Sequence, residues 1–458
     1  MIETAPCKPG IRRNAVSVRQ WMCQITTEGA LATVFIMFTG GAFLTGMALM
    51  FGANDFEIAL LAAVPFLAQV AQIFSAYIID LKGWRKSITI WGSLVGRQVW
   101  WLLLPLLFFQ SGWNLEILIG LVIISNILVM LATPGWMSWM ADLVPARTRG
   151  RYFGVRNIYV SIATITAMIA GGIIIDKYRA LDREYLGYAI IIAIGAAFAL
   201  AAVIILNRLP DKSASEIKTN GDRGHILVPL RDRKFRRLLK VFMMWNFAIG
   251  ISAPFFAPHM LSNLKMSFTL ISLYSSAAAL IAVALNKSWG KAIDRFGSKP
   301  VVGFTAFGIA VIPLIWFIPR EGYLDILIFE SIFSGFLWAG FNLAAFNIPI
   351  ANSPEQGRTM YLAMFSVVTG LSFFTASIVG GALAQNWSGL HWHVGGQDVV
   401  NYHLIFAISS VLRLLAAFLV LTFREPEEKG IPIMIQYVGY SILRRLTVGR
   451  QLFPWFMK

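Results

Sequence analysis

Four polar or aromatic side chains recur at four-residue intervals within one otherwise apolar run of the chain. They are Glu330, Ser334, Trp338 and Asn342. This spacing aligns them along one slowly drifting face of a helix. A carboxylate within such a run is costly to bury and is usually functional, and burial favours the neutral form of a carboxyl group. Glu330 is therefore the first candidate for a proton-carrying group.

Two arginines also lie inside apolar runs. Arg413 falls at nearly the depth of Glu330 when depth is counted at about 1.5 Å per residue of helix, so a static Glu330–Arg413 ion pair is the alternative interpretation. Arg97 has no acidic partner apparent at its depth. Because a guanidinium binds carboxylate or phosphate through two parallel hydrogen bonds, an anion-binding role is one interpretation of Arg97, beside a peripheral structural one.

The elements that carry these residues follow from composition. The chain has 458 residues, of which 57% are hydrophobic and 14% charged, with a mean hydropathy of +0.67. Such a chain has lipid as its main solvent, and its spanning segments must be helices because backbone groups in hydrocarbon need partners within the segment. Twelve runs have the length of about 20 residues that a bilayer requires. They are 29–51, 58–79, 88–109, 117–140, 157–175, 186–206, 238–262, 268–286, 301–319, 323–348, 362–384 and 403–423.

The net charge of +16 raises the question of a nucleic-acid partner, which the distribution of the 39 Lys and Arg residues argues against. Nearly all of them fall in the tails and the loops on one side of the predicted spans. The exceptions are Lys177, Arg179, Arg183, Lys265 and Arg320 on the other side, and Arg97 and Arg413 within spans. This positive-inside bias predicts that both termini are cytoplasmic and that the protein lies in a bacterial cytoplasmic membrane. No nucleic-acid partner is expected.

The chain contains an internal repeat. "VPARTRGRYFG" recurs as "SPEQGRTMYLA" at an offset of 209 residues, which also relates Gly171-Gly172 to Gly380-Gly381. A charged segment, "GKAIDRFGSKP", has a weaker copy in "AYIIDLKGWRK". The repeat predicts two six-helix halves joined by a basic linker. The expected divisions are a cytoplasmic segment 1–28, a first bundle 29–207, a linker 208–237, a second bundle 238–423 and a cytoplasmic amphipathic tail 424–458.

The charged segment carries a resemblance to a family. With its position between the second and third helices of a half, it resembles the major facilitator superfamily, and the resemblance covers nearly the whole chain. The second copy is almost complete, with Gly290, Asp294, Arg295, Gly297 and Lys299. The first keeps Asp80, Gly83 and Arg85 but has Ala76 and Leu81 in place of a glycine and an arginine. The resemblance implies an all-α integral membrane protein with 12 transmembrane helices in two pseudo-symmetric six-helix bundles.

In that family the charged segments resemble a gate latch that forms in one conformational state. The resemblance implies that Asp80 and Asp294 meet the N-terminal end of a helix of the other half, and that a basic residue meets Asp142 at the end of the fourth helix. Arg149 and Arg358, repeated in register, are candidates for the same latch. The alternative is that these residues are topology signals and loop turns, which is the favoured interpretation for Lys86, Lys291 and Arg147.

The resemblance also implies a function. Members are secondary transporters that work by alternating access, with a central cavity lined by the first, fourth, seventh and tenth helices. The chain has no nucleotide-binding motif of the form G-x-x-x-x-G-K-[ST], so we expect proton-coupled transport of a small solute, no cofactor and no enzymatic activity. Candidate cavity residues, besides Arg97 and the row on the tenth helix, are Thr39, Thr45, Asn126, Trp245, Asn246 and His259. Each of these is by itself more often a helix-packing residue.

Other interpretations stay open. A non-transporting solute receptor or assembly factor on the same scaffold, or a uniporter, is the alternative function. The expected partners are a small solute, membrane lipid and a proton, and the expected state is a monomer. An outer loop holds His391, His393 and His403, which are weak metal candidates because His-x-His alone is unspecific; neighbouring tryptophans favour an interfacial anchor. Gly40, Gly41 and Gly46 on the first helix permit either close helix approach or a bend.

Overall fold

The computed structural model describes residues 9–109, 111–145, 148–211, 228–354, 358–394 and 397–422. Twelve helical spans within these residues are long and apolar enough to cross a membrane. The chain is therefore an all-α, multi-pass membrane protein, as the sequence predicts. The expected cytoplasmic tail 424–458 and most of the predicted linker lie outside the described residues.

The first six spans contain nine α-helices, because several spans are broken. They are α1 (Pro9–Phe38), α2 (Gly41–Met50), α3 (Asp55–Ala68), α4 (Ala71–Lys82), α5 (Arg85–Gln98), α6 (Leu103–Phe108), α7 (Asn114–Leu143), α8 (Arg149–Arg179) and α9 (Glu184–Asn207). A short 3₁₀ turn, Val99–Leu102, joins α5 to α6.

The remaining helices begin inside the predicted linker 208–237. They comprise α10 (Val228–Arg231), α11 (Arg233–Gly250), α12 (Phe256–Pro258), α13 (Phe268–Phe296), α14 (Ser298–Ile315), α15 (Ile326–Ala351), α16 (Arg358–Asn386) and α17 (Asn401–Thr422). An antiparallel hairpin of β1 (His391–Val394) and β2 (Gln397–Val400) precedes α17. Beyond α11 the chain passes through a 3₁₀ turn, α12 and the π-turn His259–Asn263, where Pro254 and Pro258 prevent a continuous α-helical ladder.

The described residues form two compact units. Unit 1 comprises those within 1–53, 64–222 and 267–272, and unit 2 comprises those within 54–63, 223–266 and 273–458. Each unit therefore follows one half of the repeat but includes one helix end from the other. The first residues of α3 belong to unit 2, and the first residues of α13 belong to unit 1.

The packing inside unit 1 joins α1 to α8 and α9, and α5 to α7 and α9. Small residues allow the closest of these approaches. A Cβ atom added to Gly92 of α5 would lie 2.8 Å from the carbonyl oxygen of Leu128 on α7. A buried apolar cluster closes one end of the unit; it contains Ile25, Trp139, Met140, Leu143, Val144, Tyr152, Leu206 and Leu209.

Unit 2 repeats these helix pairs. Here α11 packs against α16 and α17, and α14 packs against α15 and α17. The repeated tyrosines of the sequence, Tyr152 and Tyr361, make similar hydrogen bonds in the two units. The hydroxyl of Tyr152 donates to the carbonyl oxygen of Met22 at 3.0 Å, and that of Tyr361 donates to Asp232 at 3.3 Å. Tyr152 therefore fixes the first turn of α8 to α1, and Tyr361 fixes the first turn of α16 to the residue that precedes α11.

The glycines of the first span serve both of the purposes that the sequence allows. The span breaks between α1 and α2, and Gly41 has a φ of 54°, a left-handed conformation that glycine adopts at little cost. Gly46 is instead a packing position. A Cβ atom there would lie 2.4 Å from a ring carbon of Phe268 and 2.5 Å from the hydroxyl of Tyr188.

Glycines also make the reversals in both charged segments. Gly83 ends α4 with a φ of 68°, and Gly297 separates α13 from α14 with a φ of 89° and a ψ of 167°. The second conformation is essentially restricted to glycine. Gly290 differs, because it lies inside α13 and a Cβ atom added there would meet only Leu343, at 3.9 Å.

Replacing Gly297 with alanine should therefore destabilise the protein by about 1–3 kcal/mol, the usual cost of a strained backbone conformation. The matched change Gly290→Ala should be neutral or stabilising by up to about 1 kcal/mol, because alanine is the better helix former. Thermal unfolding of both purified variants in detergent measures the difference. Equal unfolding temperatures for the two variants would show that the reversal does not require glycine.

Candidate functional site

The first charged segment is organised around Arg85, the first residue of α5. Its side chain is only 1% exposed and contacts Asp142 at the end of α7. It also donates to Asp211 through Nη2 at 3.1 Å and Nε at 3.2 Å. The structure thus brings Arg85 and Asp142 together. Asp211, which the sequence places in the linker, was not among the predicted site residues.

The start of the predicted linker is in fact part of unit 1. The ammonium group of Lys86 donates to the carbonyl oxygen of Leu209 at 2.8 Å, and the indole of Trp139 donates to that of Pro210 at 3.0 Å. Leu209 is fully buried. Backbone carbonyls, which carry no sequence signature, therefore attach residues 209–210 to α5 and α7, and the carboxylate of Asp211 adds its contact with Arg85.

The second charged segment is arranged differently. Asp294 and Arg295 are exposed, whereas Lys299 is buried. Asp294 has no hydrogen-bond or ion-pair partner among the described residues, and the guanidinium of Arg295 lies 5.6 Å from the ring centre of Phe296. The side chains of Asp80, Arg149 and Arg358 lie outside the described part of the structure. The latch in its full form stays a prediction.

Two helix starts belong to the unit of the other half of the repeat, namely the start of α3 in unit 2 and the start of α13 in unit 1. We call them the exchanged helix ends. Each is bound by a carboxylate that the sequence analysis missed. In unit 1, Asp176 near the end of α8 accepts hydrogen bonds from the backbone N–H groups of Phe268 at 2.9 Å and Thr269 at 2.7 Å. These are the first residues of α13, whose free N–H groups attract an anionic acceptor. The sequence did contain a signal for Asp176. A carboxylate near the C-terminal end of an apolar helix faces the negative end of the helix dipole and therefore needs a partner.

The corresponding carboxylate of unit 2 is Asp55, the first residue of α3. It accepts hydrogen bonds from the side-chain amide of Asn401 at 2.8 Å and from the hydroxyl of Tyr402. Its backbone N–H donates to Gln385 at 3.2 Å. One aspartate thus attaches the start of α3 to the end of α16 and the start of α17.

Glu330 lies inside unit 2, with 1% of its surface exposed. The hydroxyl of Tyr274 on α13 donates to its carboxylate. The alternative Glu330–Arg413 ion pair is wrong for this structure. Arg413 donates to the hydroxyl of Ser252 at 3.0 Å and to the carbonyl oxygen of Ile309 at 3.4 Å. Equal depth along two helices does not place side chains opposite each other, because the rotation of each helix about its axis also decides what they face.

The row on α15 passes from the interior to the surface. Glu330 is buried, Ser334 and Trp338 are half-buried, and Asn342 is exposed. The ring of Trp338 lies 5.7 Å from that of Phe341 in an edge-to-face contact. The buried ring of Trp245 stacks on the same phenylalanine at 4.6 Å. The row therefore drifts around the helix as a four-residue spacing requires.

Four further candidates form hydrogen bonds within their own helices. The side chains of Thr39, Thr45, Asn126 and Asn246 each donate to the backbone carbonyl four residues earlier, at 2.8, 3.1, 2.8 and 2.8 Å respectively. Each side chain thereby has one hydrogen-bond partner without a ligand. This arrangement agrees with the packing interpretation of these residues, and their role in a cavity stays a prediction.

The histidines fall into two places. His391 and His393 lie on β1, where His393 contacts Asp398 at 2.7 Å. His403 is buried on α17, where it accepts a hydrogen bond from the backbone of Val400 and its ring centre lies 5.0 Å from that of His259. Within the described ranges, no three His, Cys, Asp or Glu side chains are arranged to hold a metal ion. The weak metal candidates of the sequence therefore do not come together.

Arg97 does have an acidic neighbour, contrary to the expectation from sequence. Its Nη1 lies 4.0 Å from Glu28 of α1. Because α1 begins well before the apolar run at residue 29, Glu28 is inside the bundle and not in a cytoplasmic segment. Arg156 of α8 was likewise assigned to a loop, yet its guanidinium lies 5.1 Å from the ring centre of Trp136 and against Gly29.

The chain is similar in sequence to a known protein family. A family model described as Major Facilitator Superfamily matches residues 29–256 and again residues 241–455. No curated protein matches the chain in sequence.

Several solved structures share its fold. A mutant of the nucleoside transporter NupG has a TM-score of 0.70 at 14% identity, covering 88% of this chain and 100% of its own. The xylose transporter XylE from E. coli in an inward-open conformation has a TM-score of 0.63 at 16% identity, with coverages of 90% and 97%. A bacterial homologue of the human lysosomal transporter Spinster has a TM-score of 0.61 at 14% identity, with coverages of 92% and 100%.

The contact of Asp176 gives a test of the exchanged helix end. Asp176→Ala leaves two N–H groups of α13 without their acceptor and should destabilise the protein by about 0.5–2 kcal/mol, as loss of a helix cap does. The matched control is Asp325→Ala. Asp325 precedes α15 but makes no capping hydrogen bond, so its removal should leave the unfolding temperature nearly unchanged. If the two variants lose equal stability, Asp176 does not act as a cap.

Proposed function

Because the chain belongs to the Major Facilitator Superfamily, a family of small-solute transporters and not of enzymes, we propose that it transports its solute by alternating access coupled to protons. Glu330 is the proposed proton carrier. The observation that supports this assignment is a carboxyl group buried in α15 that accepts a hydrogen bond from the hydroxyl of Tyr274.

The surroundings of Glu330 suit a group that changes its protonation state. No Lys or Arg side chain forms an ion pair with it within the described residues, and burying an unpaired carboxylate costs several kcal/mol. A hydroxyl such as that of Tyr274 donates to a carboxylate and accepts from a neutral carboxyl group. A conformational change that hydrates Glu330 would favour release of its proton, and one that buries it would favour uptake.

The proposal extends to the membrane location, the orientation and the oligomeric state of the protein. The distribution of Lys and Arg supports cytoplasmic termini and a bacterial cytoplasmic membrane. Two six-helix halves within one chain support a monomer, with membrane lipid as its surroundings. We also propose that residues 208–237 link the two halves, although residues 209–211 at the start of this segment pack onto unit 1.

The fold relatives guide the choice of solutes to test. Two of the three named relatives are a nucleoside transporter and a xylose transporter. At 14–16% identity they share a fold with this chain, so their substrates serve as a starting point for screening. The half-buried indole of Trp338 and the exposed amide of Asn342 lie on the same helix as Glu330. They provide a stacking surface and hydrogen-bonding groups of the kind that a polar organic solute uses.

Proteoliposomes with an internal pH dye test the proton coupling. Pools of solutes that include nucleosides and D-xylose are added outside, and both tracer uptake and internal pH are followed. We expect one pool to move protons in the wild type. Glu330→Gln keeps the size and hydrogen-bonding shape of the side chain but cannot exchange a proton, so solute should still bind while proton movement falls to background.

The matched control is Glu321→Gln, which removes an exposed carboxylate paired with Lys265 at 2.8 Å. This variant should couple as the wild type does. Undiminished proton movement in Glu330→Gln would exclude Glu330 as the carrier. Solute flux without proton movement in the wild type would favour the uniporter, and binding without flux would favour the receptor.

A further inference from the structure

Unit 1 contains a group of charges that the proposed proton pathway does not use, with two buried members and a half-buried arginine. It consists of Glu28 on α1, Arg97 on α5 and Arg156 on α8, and is called the charged triad below. Glu28 is 2% exposed and Arg97 is 9% exposed. Two arginines and one glutamate leave one positive charge uncompensated within the triad. A buried charge of this kind is expensive unless an opposite charge accompanies it.

The triad is also incompletely hydrogen-bonded. One carboxylate oxygen of Glu28, the Nη1 of Arg97 and the Nε of Arg156 are buried without a hydrogen-bond partner. The ion pair between Glu28 and Arg97 is open at 4.0 Å, whereas a closed guanidinium–carboxylate pair has a distance of about 2.7–2.9 Å. Hydrogen-bond donors of both arginines therefore remain available to another acceptor.

The surroundings hold Arg156 in a defined place. A Cβ atom added to Gly29 would lie 2.3 Å from Nη2 of Arg156, so the guanidinium fills the space that the missing side chain leaves. On another side the guanidinium lies 5.1 Å from the ring centre of Trp136, a cation–π contact that adds to its positioning. The arginine is thus fixed before any ligand arrives, which lowers the entropic cost of binding.

The second half of the chain provides an internal comparison. The offset of 209 residues relates Arg156 to Phe365. Phe365 of α16 packs against Phe242 of α11 with ring centres 5.1 Å apart. Since α1 and α8 pair in unit 1 as α11 and α16 do in unit 2, this helix pair forms without a charge at that position. The packing therefore does not require Arg156.

We infer that the charged triad binds the carboxylate or phosphate group of a small organic anion. Arg97 and Arg156 donate hydrogen bonds to the anion, whose negative charge balances the triad. Glu28 interacts electrostatically with both arginines and is the competing acceptor that keeps the empty site from holding two unpaired cations. The inference rests on the proposed function, because it assigns the chemical class of the transported solute.

Binding is tested on the purified full-length chain in detergent, without a membrane or a proton gradient. The probes are inorganic phosphate and two pairs that differ in charge: benzoate with benzamide, and glycerol 3-phosphate with glycerol. The readout is the shift in unfolding temperature as a function of probe concentration. We expect a shift from at least one anion and none from its neutral counterpart. The carboxylate and phosphate arms then tell which group the site prefers.

Variants connect the shift to the triad. Arg97→Gln and Arg156→Gln should each raise the anion concentration needed for the half-maximal shift by about tenfold or more, as loss of a charge-assisted hydrogen bond does. The matched control is Arg179→Gln in the same unit. Arg179 is an exposed residue paired with Glu184 at 3.6 Å, so this variant should respond as the wild type does.

Glu28→Gln provides a test with the opposite sign, which stays informative if an arginine variant fails to fold. Removal of the competing carboxylate should lower the anion concentration needed for the shift by several-fold. A weaker or unchanged response in Glu28→Gln would overturn the inference. So would a wild-type chain that responds to none of the three anions, or arginine variants that fold and respond as the wild type does.

The outcome is separable from that of the proton assay. A chain that binds anions through the triad but moves no protons contradicts the proposed coupling and leaves this inference in place. A chain that couples protons to a neutral solute, and is indifferent to Arg97 and Arg156, contradicts this inference and leaves the coupling in place.

Discussion

The cost of burying charge among helices is the constraint on which the rest of the structure depends. In an apolar bundle a charged or polar group must have its partner within the protein. Arg85 meets that requirement with two aspartates, and Asp176 meets it with two backbone N–H groups at the start of α13. Both groups join segments that are distant in sequence. Lipid tails are as apolar as the helix surfaces, so the hydrophobic effect contributes little to helix association in a membrane. Ion pairs and hydrogen bonds between helices therefore supply part of the stabilisation that a hydrophobic core supplies in water.

Some groups escape this rule. The Nε of Arg413 and the hydroxyls of Ser276 and Ser410 are buried without a hydrogen-bond partner and carry no functional proposal, whereas two other sites do. Glu330 has a hydroxyl for a partner and no ion pair within the described residues, and the charged triad leaves buried donors unused. A structural ion pair would gain stability by closing, as the contacts of Arg85 do. If the charged triad binds an anion, the open geometry at Glu28 and Arg97 keeps binding capacity at the expense of stability. This is the expected pattern where selection acts on a site and not on packing.

The internal repeat allows residues at matched positions of the two halves to be compared. Features present in both halves serve the fold, and features present in one half are additions to it. Corresponding helices pair in both units, and Tyr152 and Tyr361 anchor equivalent helix starts. The two charged segments share their glycine reversals, yet Arg85 is buried between carboxylates whereas Arg295 is exposed. Arg156 in one unit corresponds to Phe365 in the other. Differences at matched positions thus point to function, and identities point to architecture.

The sequence by itself determined the twelve spans, the helical class and the family, because hydropathy and repeated motifs are local properties that the bilayer converts directly into structure. It also identified Glu330 and Arg97 as residues of interest from their types and depths, and Arg85 and Asp142 from the resemblance of the charged segments to the family. Only the tertiary structure decided their partners. Helix rotation separates Glu330 from Arg413, the early start of α1 brings Glu28 to Arg97, and backbone carbonyls attach residues 209–210 to unit 1. Depth along a helix can be read from a sequence, but the direction in which a side chain points depends on how every neighbouring helix packs.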